Sequence, residues 1–298
     1  MSQSPFNELK MQFANAGALY RILLINIGLF LALMLCKTFI FLFKGDTYWL
    51  DTIGMQLSLP ASPAQLLYQP WSLLTYMFLH LEFFHILFNM LILYWTGRLF
   101  TEYLGNDKFW ATFILGGLSG ALLFILSYNF FPVFTDVSDT RLMGASAGVI
   151  AILVGIATLI PNYIVHLLLF GAVRLKYIAI VAVLIYTIRI PDGNAGGELS
   201  HLGGALFGFV MVKQLQKGRD ITRWLTNLFS RKGNRRKVPM EVVSRRMSPA
   251  GIKEEQYKAS QIASQEAVDR ILDKINKSGF DSLTKEEKET LYRASNKS

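Results

Sequence analysis

The sequence is poor in charged residues, in cysteine and in histidine. Charged side chains account for only 17% of the 298 residues, whereas hydrophobic ones account for 52%. This composition is typical of a membrane protein and excludes an ordinary soluble domain. The single cysteine, Cys36, excludes a disulfide within one chain, and we interpret it as an inert small hydrophobic residue.

Six long apolar runs are present instead, and they predict six transmembrane helices. A helix needs about 20 apolar residues to cross about 30 Å of hydrocarbon, so the ends of the short fifth and sixth runs are poorly defined. The first run ends at Lys44 without a small-residue cleavage site, which indicates a retained helix rather than a signal peptide. The runs cover residues 19–43, 83–104, 109–131, 146–160, 175–190 and 202–212.

The basic residues predict how these helices are oriented. Between residues 217 and 246, directly after the sixth run, there are ten Lys or Arg and two Asp or Glu. The positive-inside rule places this segment, and with six spans both termini, on the cytoplasmic side. We expect the segment to bind anionic lipid headgroups rather than nucleic acid. We therefore expect a multi-pass protein of the cell membrane, located in a bacterial inner membrane.

This orientation places three polar clusters at a similar depth near the outer surface. The second, fourth and sixth helices run from outside to inside, so their first residues face the outer leaflet. The clusters are His80, His85 and Asn89 before and in the second helix, Ser146 at the start of the fourth, and His201 at the start of the sixth.

Ser146 has the sequence context of a nucleophile. It lies in Gly144-Ala145-Ser146-Ala147-Gly148, a G-x-S-x-G pattern, but without the preceding strand that the soluble nucleophile elbow requires. The backbone N–H groups at a helix start have no intrahelical partner and can hold an oxyanion. The alternative is that Ser146 is only an N-cap.

Small residues predict that the fourth and sixth helices pack closely. Such residues allow two membrane helices to approach and could bring His201 to Ser146, where a histidine base would activate the hydroxyl. The alternative is a histidine that only bonds at the interface. The small residues are Gly204, Ala205 and Gly208 on the face of His201, and Ala147, Ala151 and Gly155 in the fourth helix.

His85 and Asn89 are spaced i,i+4 and share one helix face. Both carry side-chain nitrogen donors, which suits stabilisation of negative charge on an acyl oxygen, although they could instead bond neighbouring helices. A third His, Cys or carboxylate at ligand spacing is missing, so we expect no metal. We also expect no buried carboxylate beside His201, because Glu198 lies three residues outward, and therefore a Ser146–His201 dyad rather than a triad.

Together these motifs resemble the rhomboid family of intramembrane serine proteases. The family pattern is H-x4-H-x3-N at the second helix, G-x-S-x at the fourth and H-x2-G-x3-G in the sixth. All three occur here in order, and the resemblance covers about residues 17–216. The matching positions are His80, His85 and Asn89; Gly144 and Ser146; and His201, Gly204 and Gly208.

The resemblance implies a role for each matched residue. Ser146 is the implied nucleophile, His201 the general base, and His85 and Asn89 the oxyanion donors. The implied structural positions near the site are His80, Gly144, Gly204 and Gly208. The family uses no cofactor, and its substrates are single-pass transmembrane proteins with small or helix-weakening residues near the cut.

Two positions depart from the family pattern. Trp71 is followed by Ser72 rather than by the arginine often found there, so the packing of the first outer loop is expected to differ. Ile150 occupies the position, four after the serine, where many members carry an aromatic residue against the histidine ring. Neither departure removes a catalytic group.

The expected fold is an all-α polytopic membrane protein, a six-helix rhomboid-like bundle with a small helical cytoplasmic tail. Its parts are a cytoplasmic N-terminus (1–18), the membrane domain (19–216), a basic linker (217–246) and the tail (247–298). In the tail, the apolar spacing over 268–275 predicts an amphipathic helix that ends at Gly279. Thr284 and Glu287 form a capping box for a second helix.

Two other classes of function compete with proteolysis. A catalytically silent rhomboid-like protein that binds membrane clients would be expected to have lost the serine or the histidine, and both are present. A transporter would be expected to have polar groups across the whole bilayer and an inverted repeat, whereas the polar groups here gather at one depth.

Overall fold

The computed structural model of this protein describes residues 17–46, 48–134, 139–167, 171–192 and 194–229, together with Lys274 and Thr284. The chain divides into two units, residues 1–231 and 232–298, and all the described residues except Lys274 and Thr284 belong to the first. Apart from these two positions, the predicted tail helices lie outside the described residues.

The described part of the chain is mostly helical, as the apolar runs predict. The helices are α1 (Ala18–Lys44), α2 (Tyr48–Leu57), α3 (Pro63–Tyr68), α4 (Ser72–Thr75), α5 (Phe83–Phe130), α6 (Ser146–Leu159), α7 (Leu175–Ile188), α8 (Ala195–Gln216) and α9 (Arg223–Phe229), with a 3-10 turn at Tyr76–Phe78.

Helix α5 contains both the second and the third apolar runs. Its helical conformation is interrupted at Gly105, which has φ 81° and ψ 169°. The two helical segments on either side of this glycine correspond to the runs predicted at 83–104 and 109–131. The interruption lets the chain turn back, so that both segments contribute to the same bundle.

Helix α8 begins earlier than the sequence predicts, at Ala195 rather than at 202. The Asn194 side chain accepts a hydrogen bond from the Gly197 N–H at 3.3 Å and caps the helix. Because the first turn is made of glycines and Glu198, it does not stand out as apolar. His201 therefore lies in the second turn of the helix and not at its start.

Helix α6 occupies the centre of the bundle and α1 its edge. Helix α6 is buried along nearly its whole length and packs against α5 and α8. Helix α1 packs mainly against α5 and exposes large apolar residues such as Leu31, Phe39 and Phe43. Within the described residues, α1 and α5 are the helices long and apolar enough to cross a membrane.

Two short strand pairs correct the expectation of an all-α fold. Strands β1 (Leu59–Pro60) and β2 (Arg141–Leu142) pair antiparallel, as do β3 (Ile164–Leu167) and β4 (Gly171–Arg174). Strands of two to four residues are too short to give an alternating sequence pattern, which is why the apolar runs do not reveal them. The first pair positions the segment that leads into α6.

Arg141 holds the first long loop together. Its guanidinium donates to the Met55 carbonyl oxygen at 2.6 Å and to the side-chain oxygens of Gln65 and Gln69 at 3.3 and 3.4 Å. The Trp71 indole nitrogen donates to the Gln56 carbonyl oxygen at 2.9 Å. Arg141, which comes after α5 in the sequence, therefore stabilises this loop through hydrogen bonds. The residue that follows Trp71 is Ser72 and not an arginine.

The described start of the expected linker is ordered by contacts with the bundle. Helix α9 lies inside the range 217–246. Lys108, in α5, forms an ion pair with Asp220, and Asp220 also accepts hydrogen bonds from the backbone and hydroxyl of Thr222. Burial alone would raise the pKa of Asp220, but the hydrogen bonds from Lys108 and Thr222 together with the lysine charge lower it below its usual value.

Candidate active site

Ser146 is the first residue of helix α6 and does not cap it. The N-cap position belongs to Ala145, and no side chain caps this helix. The Ser146 hydroxyl oxygen instead lies 2.7 Å from Nε2 of His201. The structure therefore does not support the alternative in which Ser146 serves only as an N-cap.

Close packing of α8 on α6 brings His201 to this serine. A side chain at Gly204 would overlap the carbonyl oxygen of Ala147, and one at Gly208 would overlap that of Ala151. The predicted contact between the two strips of small residues is thus confirmed at these positions. Because the two backbones are in contact, the imidazole of His201, one helical turn before Gly204, can reach the first residue of α6.

Glu198 is a correction to the expected dyad. Its side chain is buried, at 4% exposure, and Oε2 lies 3.3 Å from Nδ1 of His201. Oε1 lies 3.5 Å from Nε of Arg189, just beyond α7. The expectation that Glu198 lies outward of the site is wrong because α8 begins at Ala195, which places residues 198 and 201 on one helix face.

The hydrogen-bond network assigns the His201 tautomer. A carboxylate can only accept, so the contact with Glu198 is satisfied when Nδ1 carries the ring proton. Nε2 is then the acceptor for the Ser146 hydroxyl. A hydroxyl, an imidazole and a buried carboxylate in this order can transfer a proton from the oxygen to the ring.

Tyr186, in α7, supplies an aromatic contact that the sequence does not reveal. Its ring centroid lies 4.3 Å from that of His201, at an interplanar angle of 53°. The family's usual aromatic position is taken by Ile150, which is buried in α6. An aromatic packed on His201 is therefore present, but it comes from a different helix, and no local spacing in the sequence connects residues 186 and 201.

Gly144 brings the loop before Ser146 against His85. Its φ of 113° lies in the left-handed region, and a Cβ built on it would sit 2.7 Å from Cε1 of His85. Its N–H donates to the Tyr76 carbonyl oxygen at 2.8 Å. Only glycine combines this backbone conformation with this close approach. The His85 ring therefore lies against a residue that is two positions before Ser146 in the chain.

The side chain of Asn89 is hydrogen-bonded within its own helix. Its side chain is nearly buried, and its amide nitrogen donates to the His85 carbonyl oxygen at 2.8 Å, one helical turn back. In the part of the chain that the structure describes, this hydrogen bond links Asn89 to its own helix and not to Ser146 or His201.

His80 supports the loop that precedes α6. It lies between the 3-10 turn and α5, is fully buried, and its Nε2 accepts the Ala145 N–H at 3.3 Å. Its ring centroid lies 5.1 Å from that of His85. Burial, and to a lesser extent the neighbouring His85, lowers the pKa of His80 to about 4. The neutral ring is thus favoured, which leaves Nε2 free to accept.

The described residues contain no group of three His, Cys, Asp or Glu side chains close enough to hold a metal ion. The groups that the structure brings together at this site are the hydroxyl of Ser146, the imidazole of His201 and the carboxylate of Glu198. Backbone N–H groups at the start of α6 lie beside them.

Two parts of this chain match known protein families. A model of the rhomboid domain matches residues 68–217, and a family of unknown function (DUF6576) matches residues 253–297. RHOMBOID-like protein 12, mitochondrial, from Arabidopsis thaliana is 27% identical over 158 residues, which are 50% of this chain and 47% of that protein. Rhomboid-like protease 3 from Toxoplasma gondii is 28% identical over 179 residues, 59% of this chain and 63% of that protein.

The chain thus spans about half of one relative and less than two thirds of the other. The rhomboid domain and the long apolar helices together indicate a membrane protein. Because the rhomboid model matches half of its residues, the chain belongs to the rhomboid family.

Proposed function

We propose that this protein is an intramembrane serine endopeptidase that cuts transmembrane segments of membrane-anchored proteins near the outer leaflet. The observation that carries the proposal is the 2.7 Å contact between the Ser146 hydroxyl oxygen and Nε2 of His201. Membership of the rhomboid family supports it, as does the relative that is named a protease.

In the proposed reaction, His201 is the general base. Its Nε2 takes the proton of the Ser146 hydroxyl while Oγ attacks the carbonyl carbon of the substrate peptide bond. The tetrahedral intermediate collapses when the same proton passes from His201 to the leaving amine, which breaks the C–N bond. A water molecule then attacks the acyl-enzyme through the same base, and the acid product leaves Ser146 free.

Negative charge on the carbonyl oxygen needs donors during both steps. The N–H groups in the first turn of α6 have no intrahelical partner and point toward the helix start. His85 lies next to this turn, against Gly144, and is proposed to donate through its ring. Asn89 is proposed to contribute once its amide leaves the His85 carbonyl oxygen that it contacts in the free protein.

The proposed setting is a multi-pass protein with six spans and both termini in the cytoplasm. The polar cluster at the starts of α5, α6 and α8 then faces the outer leaflet, and the basic segment after α8 lies at anionic lipid headgroups. The proposed substrates are single-pass helices with small or helix-weakening residues near the cut. Such helices can unwind to expose a peptide bond to Ser146.

The proposal is tested by labelling the purified full-length protein in detergent with a fluorophosphonate probe. We expect the wild type to be labelled at Ser146 and Ser146→Ala to remain unlabelled. Thr38→Ala removes an exposed hydroxyl from α1 and serves as the matched control, which should label like the wild type. Equal labelling of wild type and Ser146→Ala would contradict the nucleophile assignment, and binding of membrane clients without labelling would favour the silent rhomboid-like binder.

A further inference from the structure

Glu198 is a buried carboxylate beside the Ser146–His201 pair, and a mechanism that uses only that pair gives it no role. Each of its oxygens has a cationic or hydrogen-bonding partner: Oε2 lies 3.3 Å from Nδ1 of His201, and Oε1 lies 3.5 Å from Nε of Arg189. An isolated carboxylate in this apolar bundle would be strongly unfavourable. The contact with His201 is the buried one of the two, whereas the partner on the other side, Arg189, is largely exposed.

We infer that Glu198 is a positioning residue that holds the proton on Nδ1 of His201 and keeps Nε2 directed at Ser146. The inference rests on the proposed function and adds a third member to its serine–histidine pair. In this arrangement the carboxylate fixes the tautomer and stabilises the imidazolium that forms when His201 takes the hydroxyl proton.

The surroundings of His201 limit its ring to this orientation. The Tyr186 ring packs on one side of the imidazole, at 4.3 Å between centroids. The backbone of α8 is pressed against α6 through Gly204. Glu198 contacts the ring edge opposite Ser146, so one edge meets the hydroxyl and the other meets the carboxylate. A ring held on three sides in this way loses little freedom when the substrate binds.

A purely structural role for Glu198 makes different predictions. An acidic residue in the first turn of α8 is favoured by the helix dipole, and the ion pair with Arg189 joins the end of α7 to α8. Both effects would be lost in Glu198→Gln, but they would change stability rather than the chemical step. Arg189 is 57% exposed, so its ion pair with Glu198 is screened by solvent and contributes little.

The test measures the kinetics of fluorophosphonate labelling at Ser146, which need no knowledge of the natural substrate. For Glu198→Gln we expect the maximal labelling rate, kinact, to fall about 10²-fold or more, while the half-saturating probe concentration, KI, stays within about twofold. Glu198→Asp keeps a carboxylate and should recover most of the lost rate. Arg189→Gln breaks only the outer ion pair and should cost less than about tenfold.

Asp192→Asn is the matched control because it changes an exposed carboxylate in the connection between α7 and α8 to an amide. It should label at the wild-type rate, and thermal unfolding of all variants should show whether the bundle is intact. Wild-type labelling by Glu198→Gln would overturn the inference, as would equal losses in Glu198→Gln and Arg189→Gln. Absence of labelling in the wild type would instead overturn the proposed function, so the two failures are distinguishable.

Discussion

Helices α1 and α6 are both strongly apolar, but they occupy opposite environments. Helix α1 is rich in large residues and exposes many of them, including Leu31, Phe39 and Phe43. Helix α6 has alanine and glycine at regular intervals and is buried on all sides. Hydropathy predicts both as membrane helices, although within the described residues only α1 of the two is long enough to cross a membrane by itself. The size of the side chains is what distinguishes the exposed helix from the central one.

The difference shows how an apolar bundle can hold a polar site. In lipid, apolar side chains gain nothing by leaving one apolar environment for another, so close backbone packing determines which helices associate. The small residues of α6 and α8 permit that packing, and the same contact brings Ser146 to His201. A helix with the side chains of α1 could not approach α8 closely enough to do so.

The largest expected effect comes from removing the imidazole of His201, which meets Ser146 where α8 packs on α6. His201→Ala should lower cleavage of a model transmembrane substrate by a factor on the order of 10⁶, the scale found when a catalytic histidine is removed from a soluble serine protease. His166→Ala, at an exposed position in β3, is the control and should cleave normally. Cleavage is measured by gel analysis of product in detergent micelles. Substantial activity of His201→Ala would show that another base serves Ser146.

A smaller effect is expected from the proposed oxyanion donors in α5. His85→Ala and Asn89→Ala should each lower turnover about 10²–10³-fold, the typical cost of losing one such donor. The reason is that each donor is needed only when charge develops on the carbonyl oxygen. Steady-state kinetics should show the loss in kcat with KM little changed. A change confined to KM would indicate that the residue binds substrate and does not stabilise the transition state.

The packing contrast can be tested with one substitution in each region. Gly204→Ala puts a methyl group onto the Ala147 carbonyl oxygen and should destabilise the bundle by about 1–3 kcal/mol. Gly28→Ala, in α1, meets no atom within 4 Å and should be neutral or stabilise the helix by up to about 1 kcal/mol. Thermal unfolding in micelles compares the two. Equal destabilisation would mean that close backbone packing does not distinguish the regions.

The last expected effect is absent at neutral pH and develops only in acid: it is a dependence of stability on pH that arises at His80. Burial lowers its pKa from 6.5 to about 4, so between these values the unfolded chain binds more protons at this residue than the folded protein. This contribution to stability is complete above pH 6.5 and is lost as pH falls toward 4. In His80→Gln the melting temperature should fall less steeply over that range. An unchanged slope would show that His80 does not carry the effect.

The main helices are predictable because their apolar runs are long. The first run, at residues 19–43, differs by one residue at each end from α1, and the fourth, at 146–160, by one residue from α6. The candidate residues Ser146 and His201 could also be named, since the small residues around them predict a close contact. The roles of His85 and Asn89 stay predictions.

Glu198 and Tyr186 could not be assigned from the sequence. The start of α8 is made of glycines and a charged residue, so the apolar run begins too late and leaves Glu198 outside the predicted helix. Tyr186 belongs to a different helix from both Ser146 and His201, and its contact with the imidazole depends on how α7 packs against α8. Short strands such as β1 and β2 are likewise formed by pairing between distant segments.

The sequence by itself determined the apolar helices, their small-residue faces and the order of the serine and histidine motifs, because these depend on local composition and spacing. Only the tertiary structure decided that Ser146 meets His201, that Glu198 lies behind the imidazole and that Tyr186 packs on it. Those contacts join residues from α6, α7 and α8. The contacts of Ser146 and Tyr186 with the imidazole are set by the distance between helix backbones, which no single stretch of sequence specifies, and the contact of Glu198 depends on α8 beginning at Ala195.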